Sequence, residues 1–385
     1  MSSLSIGMPN YNDAHYIAES LEAILNQSYP FKEIVIIENA STDDSLSIIK
    51  SFTERDSRIK LICNTENIGP VLSVKKILEV TSGDYISLIA ADDPIRPGLY
   101  EKAMNLLARY SHSGFCCSEY TRIYPDGKTE ELRIDLRDSP GFLTPDELVH
   151  VLKRRGRLSI TTNTCIYSRT ALLESGLTEP EVMKLRWHFD WFVSLVIAFR
   201  YGICYIPESL QMVRIDPNSY CQSGMRNRNA QREVIEQILV LLNSEKYADI
   251  QHYFKIPSVL SKFGFKLLDI IVKNPKYWHY LSLDLIQSAI KYGEGYKFNI
   301  SFTMSGKENI DDVVSICCKS LRVFADSFKK QGDYFRDLGD IPKALQFYSK
   351  ALDADPEFLE VHSVLHEINK ISQAGPRRFP GRLEL

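Results

Sequence analysis

The chain has 385 residues, 44% of them hydrophobic and 25% charged, with a formal net charge of -3 at pH 7. That length calls for two or three domains rather than one core, and the composition is globular, which excludes a disordered or fibrous protein. The charge balance excludes a partner bound through clustered Lys and Arg, so nucleic acid is not expected, and no apolar run reaches the roughly 18 residues of a membrane-spanning helix.

The elements begin at Leu4. Residues 4–8 read as a short apolar strand, ended by Pro9-Asn10-Tyr11-Asn12-Asp13, and a helix follows over 14–27 with Ile17, Leu21, Ile24 and Leu25 at helical spacing. Glu33–Glu38 (EIVIIE) is a continuous β-branched run of the kind buried in a parallel sheet. Ser41-Thr42-Asp43-Asp44 offers caps for a helix over 45–53, Ile59–Cys63 is a third strand, 71–80 a helix and 85–90 (YISLIA) a fourth strand. Strands separated by helices of this length form βαβ units. Ligands of such sheets bind beyond the carboxyl ends of the strands. Those ends here carry 9–13, 38–44, 64–69 and Ala91-Asp92-Asp93, all polar.

Asp92 and Asp93 follow a buried strand directly, where carboxylates suit a hard divalent cation such as Mg²⁺ or Mn²⁺. The same pair fits an Asx turn capping a helix over 97–110. From 111 to 225 the pattern is mixed, with short strands at 114–119, 161–167, 203–206 and 210–214. After Arg226 the chain reads as helical, with one short strand at 298–302, a helix pair over 329–369 and a frayed tail at its end. The cysteines, Cys63, Cys116, Cys117, Cys165, Cys204, Cys221, Cys317 and Cys318, have no C-x-x-C spacing and read as reduced thiols of a cytoplasmic protein.

Residues 6–13 (IGMPNYND), 37–43 (IENASTD), Asn67-Ile68-Gly69, Gly83-Asp84-Tyr85 and 88–93 (LIAADD) resemble, in order and spacing, the nucleotide-binding half of family 2 inverting glycosyltransferases. His188-Phe189-Asp190-Trp191, 205–208 (YIPE) and 214–219 (RIDPNS) are similar to that family's acceptor half. The resemblance covers about 3–225. It implies the α/β GT-A nucleotide-diphospho-sugar transferase fold, a mostly parallel Rossmann-like sheet, followed here by an α-helical C-terminal region.

Carried over, Pro9 and Tyr11 border the base of the nucleotide, and Glu38 or Asn39 contacts base or ribose where the family usually has Asp. Asn67 and Lys75 lie near the nucleotide, Asp84 supports the pocket, and Arg214, with Arg226 and Arg228, is placed to clamp the diphosphate. Arg226 and Arg228 read equally well as surface residues. Asp92 ligates the metal, Mn²⁺ or Mg²⁺, with Asp93, and Asn163 faces the acceptor or lies on a polar strand face. Asp190 is the general base or, in the plainer reading, a helix N-cap.

Two departures from the family stand out. Ala90 occupies the first position of the usual Asp-x-Asp-Asp motif, and Asp216 stands where a His is common, so Asp216 is expected to join Asp92 and Asp93 as a replacement metal ligand. The activity implied is inverting transfer from a nucleotide-sugar, UDP-linked by the family's preference, to a hydroxyl of a saccharide, lipid-linked or protein acceptor in surface polysaccharide or glycoconjugate synthesis. The protein would act in the cytoplasm, peripheral to the membrane where the acceptor is lipid-linked.

Residues 338–356 (LGDIPKALQFYSKALDADP) resemble one tetratricopeptide repeat, with Gly339, Ala344, Ala351 and Pro356 at its small-residue and terminator positions. Tyr334, Phe335, Phe347 and Tyr348 are expected to form its packing face, and Pro356 to open the next helix. Such a unit leaves room for a protein partner or self-association. The organisation expected is 1–225 for the transferase domain, split into 1–110 for the nucleotide and 111–225 for the acceptor, then a helical extension at 226–328, repeat-like helices at 329–372 and a flexible tail at 373–385. The competing readings are a catalytically decayed transferase domain acting as a scaffold, for which Ala90 speaks, and another nucleotide-using α/β enzyme. A dehydrogenase is excluded because Gly7 is followed by Met8-Pro9 rather than a G-x-G-x-x-G loop.

Overall fold

The β-branched run Glu33–Glu38 is buried at every residue and forms β2, flanked in parallel by β1 (Leu4–Asn10) and β3 (Ile59–Cys63). β4 (Tyr85–Leu88) pairs in parallel with the other edge of β1. The connections are α1 (Ile17–Leu25), α2 (Ser45–Arg55) and α3 (Gly69–Val80). The coordinates are a computed structural model that describes residues 2–155, 160, 165–294 and 310–373. Gly7 lies in β1 because α3 runs directly over it: a Cβ there would lie 2.3 Å from Ile77 Cγ2. α1 starts three residues later than its periodicity suggests, because Tyr16 and Ile17 both donate to Asp13 O in a turn before the helix.

The sheet continues with mixed strands. Its order is β3-β2-β1-β4-β8-β5-β9-β7, with β6 added to β5, where β5 is Phe115–Ile123, β6 Thr129–Leu132, β7 Gly141–Leu143, β8 Cys165–Ser168 and β9 Ile203–Arg214. The two strands expected at 203–206 and 210–214 are one. Pro207 and Glu208 fall where the register with β5 shifts, between Ser118↔Ile206 and Glu119↔Ser209, so the missing N–H of proline costs no ladder bond. Four further helices carry the site or its supports: α4 (Leu99–Arg109), α5 (Pro145–Arg155), α6 (Arg169–Glu174) and α7 (Pro180–Met183). α5 went unread although Thr144 and Glu147 form a reciprocal capping box, with each backbone N–H bonded to the other's side chain.

α8 (Phe189–Tyr201), α9 (Tyr220–Arg226) and α10 (Arg228–Leu242) follow. The chain divides into two compact units, Met1–Val259 and Leu260–Leu385. α10 lies in the first of these, and its Gln231 is hydrogen-bonded to Trp187.

The second unit is helical, and its longest helix, Ile310–Asp337, runs straight through the expected boundary at 328. It turns at Gly339 (φ 79°), and Asp340 caps the helix Ile341–Ala354 by accepting from Lys343 N at 3.1 Å. Phe335 and Phe347 stack at 5.4 Å, Ala344 and Ala351 are fully buried, but Tyr334 is 61% exposed and lies outside the packing face expected of it. The next helix is Leu359–Gln373, so Pro356 precedes it by a turn rather than opening it. Asn163 and the start of β8 as expected from 161, the strand expected at 298–302 and the tail from 374 lie outside the described residues. Among the described residues no helix is long and apolar enough to cross a membrane.

Candidate active site

The carboxyl ends of β1 and β2 lead into loops that are stitched to each other. Ser41 Oγ accepts from Asn10 Nδ2 (3.2 Å) and from the Asn12 backbone N–H (3.0 Å), while Asn12 Oδ1 accepts from Thr42 N at 2.8 Å. Asp43 accepts from Ala14 N and Ser45 N, each at 3.0 Å. Asn12 (φ 60°) and Ala40 (φ 57°) are left-handed, a strain of order 1 kcal/mol each for residues with a Cβ. At Ala40 the strain is held by Glu38, whose carboxylate accepts from Ala40 N (3.1 Å) and Ser41 N (2.7 Å). Glu38 is thus turned into its own loop. Asn39, also buried, joins Ser73 of α3 to Asn64 after β3. Both are turned into the fold, whereas Tyr11 is 44% exposed and Pro9 is half-buried near the end of β1.

The loop expected to hold a metal follows β4. Asp92 is half-buried, and burial raises its carboxyl above the usual range; Arg214 opposes that rise and Asp216 adds to it. Asp13, at the end of the β1 loop, is pushed up to about 7 by burial first and then by the charge of Asp92, with the Tyr11 N–H opposing and Asp43 adding. The charge of Asp92 thus reaches Asp13, and that of Asp216 reaches Asp92. Asp13 belonged to the quoted 6–13 motif but was not singled out, because nothing local distinguishes it from the turn residues beside it.

Asp93 departs from expectation. It is 6% exposed, and its Oδ1 accepts from the Arg214 backbone N–H at 2.7 Å, pinning the end of β9 to the metal loop. Among the described residues no group of three or more His, Cys, Asp or Glu is set to hold a metal, so Asp92, Asp93 and Asp216 do not form a triad. Asp216, whose charge adds to the rise at Asp92, is exposed and accepts from Asn218 N at 2.8 Å. Two carboxylates suit a divalent cation whose other positions are taken by diphosphate oxygens or water.

Arg214 is held in place rather than free to clamp. Its Nε donates to Asp92 O at 2.7 Å, Nη2 pairs with Glu19 at 2.5 Å, and the guanidinium lies 4.3 Å over the Tyr16 ring. Glu19 and Tyr16 carry no sequence signal for this, since their partner lies almost 200 residues away. Arg226 turns back onto its own segment, donating to Pro217 O at 2.7 Å. Asn67 is exposed and accepts from Gly69 N at 2.9 Å in the turn before α3, and Lys75 lies on the exposed face of that helix, 3.9 Å from Glu79. Asp84 is a correction. It precedes β4, at the amino end of the parallel strands, where it accepts from the N–H and hydroxyl of Ser3, both at 2.8 Å; it cannot support a pocket at their carboxyl ends.

Asp190 lies in the first turn of α8, inside the helix; the N-cap position belongs to His188. Its charge reaches the buried Tyr167 hydroxyl of β8, which burial has already raised far above its ordinary range. α9 connects this point to the metal loop. It begins just after Asp216, and its Gly224 lies flat against Trp187, where a Cβ would meet the indole at 2.1 Å.

Residues 5–173 match the family model "Glycosyl transferase family 2". The chain is 24% identical over 302 residues to YibD, an uncharacterized glycosyltransferase of Escherichia coli (strain K12), covering 74% of this chain and 78% of that one. It is 29% identical over 124 residues to TuaG of Bacillus subtilis (strain 168), a glycosyltransferase named for teichuronic acid biosynthesis, covering 32% of this chain and 49% of TuaG. The chain spans about half the length of that relative. Among solved structures, S. aureus TarS 1-349 in complex with UDP-GlcNAc superposes with a TM-score of 0.52 at 15% identity, over 78% of this chain and 94% of that one. Fold and match together define a GT-A type α/β sheet followed by a helical C-terminal region. Residues 5–173 are a glycosyltransferase family 2 domain.

Proposed function

We propose that the first unit transfers a sugar from a nucleoside-diphosphate donor, UDP-linked, to an acceptor hydroxyl with inversion. Asp190 takes the hydroxyl proton as the acceptor oxygen attacks the anomeric carbon; the bond to the diphosphate oxygen breaks and the nucleoside diphosphate leaves with the electron pair. One base and one displacement invert the centre. Asp92 and Asp216 would hold Mn²⁺ or Mg²⁺, which when bound neutralises the charge that builds on the departing diphosphate. The observation that carries the reading is the family 2 match over residues 5–173, supported by the buried carboxyls Asp92 and Asp13, the latter pushed up to about 7. Like charges assembled at this cost suit a site completed by a cation.

UDP-GlcNAc on TarS makes UDP-N-acetylglucosamine the first donor to test, and TuaG favours a surface polysaccharide acceptor. Such chemistry would run on the cytoplasmic side, at the membrane surface where the acceptor is lipid-linked. Calorimetric titration with UDP-, GDP- and dTDP-sugars, each with and without Mn²⁺, tests the proposal. Metal-dependent binding of one donor is the expected outcome. Failure of all of them to bind would leave the scaffold reading in its place.

The hairpin about Gly339 keeps the small buried residues of a tetratricopeptide unit, Ala344 and Ala351, and this supports a role in contacting a protein partner or a second copy. Light scattering of the full chain against a variant with Tyr334→Ser and Leu338→Ser tests self-association, since both residues are exposed.

A further inference from the structure

The segment leading into Asp190 is unusual in its backbone and in its contacts. Arg186 is left-handed at φ 51°, and Arg186–His188 forms a single 3₁₀ turn from which α8 starts directly. His188, at the N-cap position, makes no side-chain cap to the helix and is 4% exposed. Its ring is engaged elsewhere: Nε2 lies 2.9 Å from Nε2 of Gln231 on α10. Gln231 is itself 8% exposed, and its Oε1 accepts from Trp187 Nε1 at 2.7 Å.

These two bonds fix the orientation of the amide. An indole N–H can only donate, so the amide oxygen must face Trp187 and the amide nitrogen must face His188. That nitrogen donates, so His188 Nε2 accepts and the imidazole carries its proton on Nδ1. One amide therefore holds two consecutive side chains of the turn before Asp190 in a single arrangement. Trp187 is closed from its other side by α9, through Gly224 and the edge of Tyr220 at 6.1 Å.

We infer that Gln231 is a positioning residue for Asp190, acting through Trp187 and His188 to set the start of α8. The inference rests on Asp190 being the base. Carboxylates that remove protons must be placed to within a fraction of an ångström, and among the described residues Asp190 has no long-range bond to do this: it accepts from the adjacent Trp191 N–H, at 2.6 Å.

The test uses the full chain with three variants. Gln231→Leu removes both bonds at similar volume. Gln231→Glu keeps an acceptor for Trp187 but cannot donate to His188, and Asp190→Asn is the reference. Carbon-13 carboxyl NMR, with the Asp190 signal assigned by its loss in Asp190→Asn, is expected to show that signal shifted and broadened in Gln231→Leu and less so in Gln231→Glu, with the Asp84 signal unmoved. In UDP release from UDP-N-acetylglucosamine, kcat is expected to fall on the order of 100-fold in Gln231→Leu with KM for the donor unchanged. An unmoved Asp190 signal in either folded variant, or a KM effect without a kcat effect, overturns the inference. Wild-type turnover by Asp190→Asn would instead overturn the base assignment on which it rests. If Gln231→Leu does not fold, Gln231→Glu decides on the same readouts.

Discussion

Glu33 offers a quantitative test of how the sheet is fastened at the end away from the cleft. It opens β2 with a side chain only 2% exposed. Its carboxylate accepts from Ser5 Oγ (2.8 Å), Lys60 Nζ (2.6 Å), Ser82 N (2.8 Å) and Ser82 Oγ (3.0 Å). One side chain thus ties β1, β3 and the turn before β4 to β2. Burial alone would raise its pKa, but the bonds from Lys60, Ser5 and Ser82 outweigh burial and bring it from 4.5 to about 2. At about 1.4 kcal/mol per pH unit the gap amounts to about 3 kcal/mol, and solvent around the half-exposed Lys60 reduces this to about 2.

The sign follows from the depressed value. Below about pH 2 both folded and unfolded states are protonated and the contribution is absent; above about 4.5 both are ionised and it is complete. Glu33→Gln, which resembles the protonated acid, should therefore cost about 2 kcal/mol at pH 7, and the cost should shrink steadily as the pH falls from about 4.5 toward 2. Urea unfolding followed by tryptophan fluorescence measures it. A Trp278→Phe background confines the signal to Trp187 and Trp191 of the first unit. A cost that is the same at pH 7 and pH 3 would refute the assignment of the stabilisation to the ionised carboxylate.

Asp190→Asn should abolish transfer, by about 10²- to 10⁴-fold, while calorimetry shows donor affinity preserved. Asp216→Ala should weaken Mn²⁺ binding by about tenfold, the worth of one exposed carboxylate contact; wild-type affinity would show that Asp92 holds the ion without it. Gly7→Ala places a methyl 2.3 Å from Ile77 Cγ2, and forcing α3 off β1 should cost about 1–3 kcal/mol, read as a lower urea midpoint.

Much of the first unit can be read along the chain. The runs 33–38 and 59–63 emerge with their bounds unchanged; 33–38 is buried at every residue, and a strand buried on both faces has to be continuously apolar and β-branched, which is a local property. β6 could not be read in the same way: Thr129–Leu132 is polar and largely exposed, and it is a strand only because β5 offers an edge beyond the end of β8. The tie between Gln231 and Trp187 is hidden for a related reason, since it leaves no mark in composition.

Local order in the chain thus settled the alternation of strands and helices, and with it which end of the sheet carries the polar loops, since periodicity and turn residues act over a few positions. Tertiary structure alone decided what each acidic residue meets. Asp93 turns inward to the Arg214 N–H and Asp84 sits at the opposite end of its strand, while Asp13 comes under the charge of Asp92 from far away in sequence. A carboxylate's role depends on the donors and charges that meet it, and those arrive from segments whose approach is set by packing of the whole sheet.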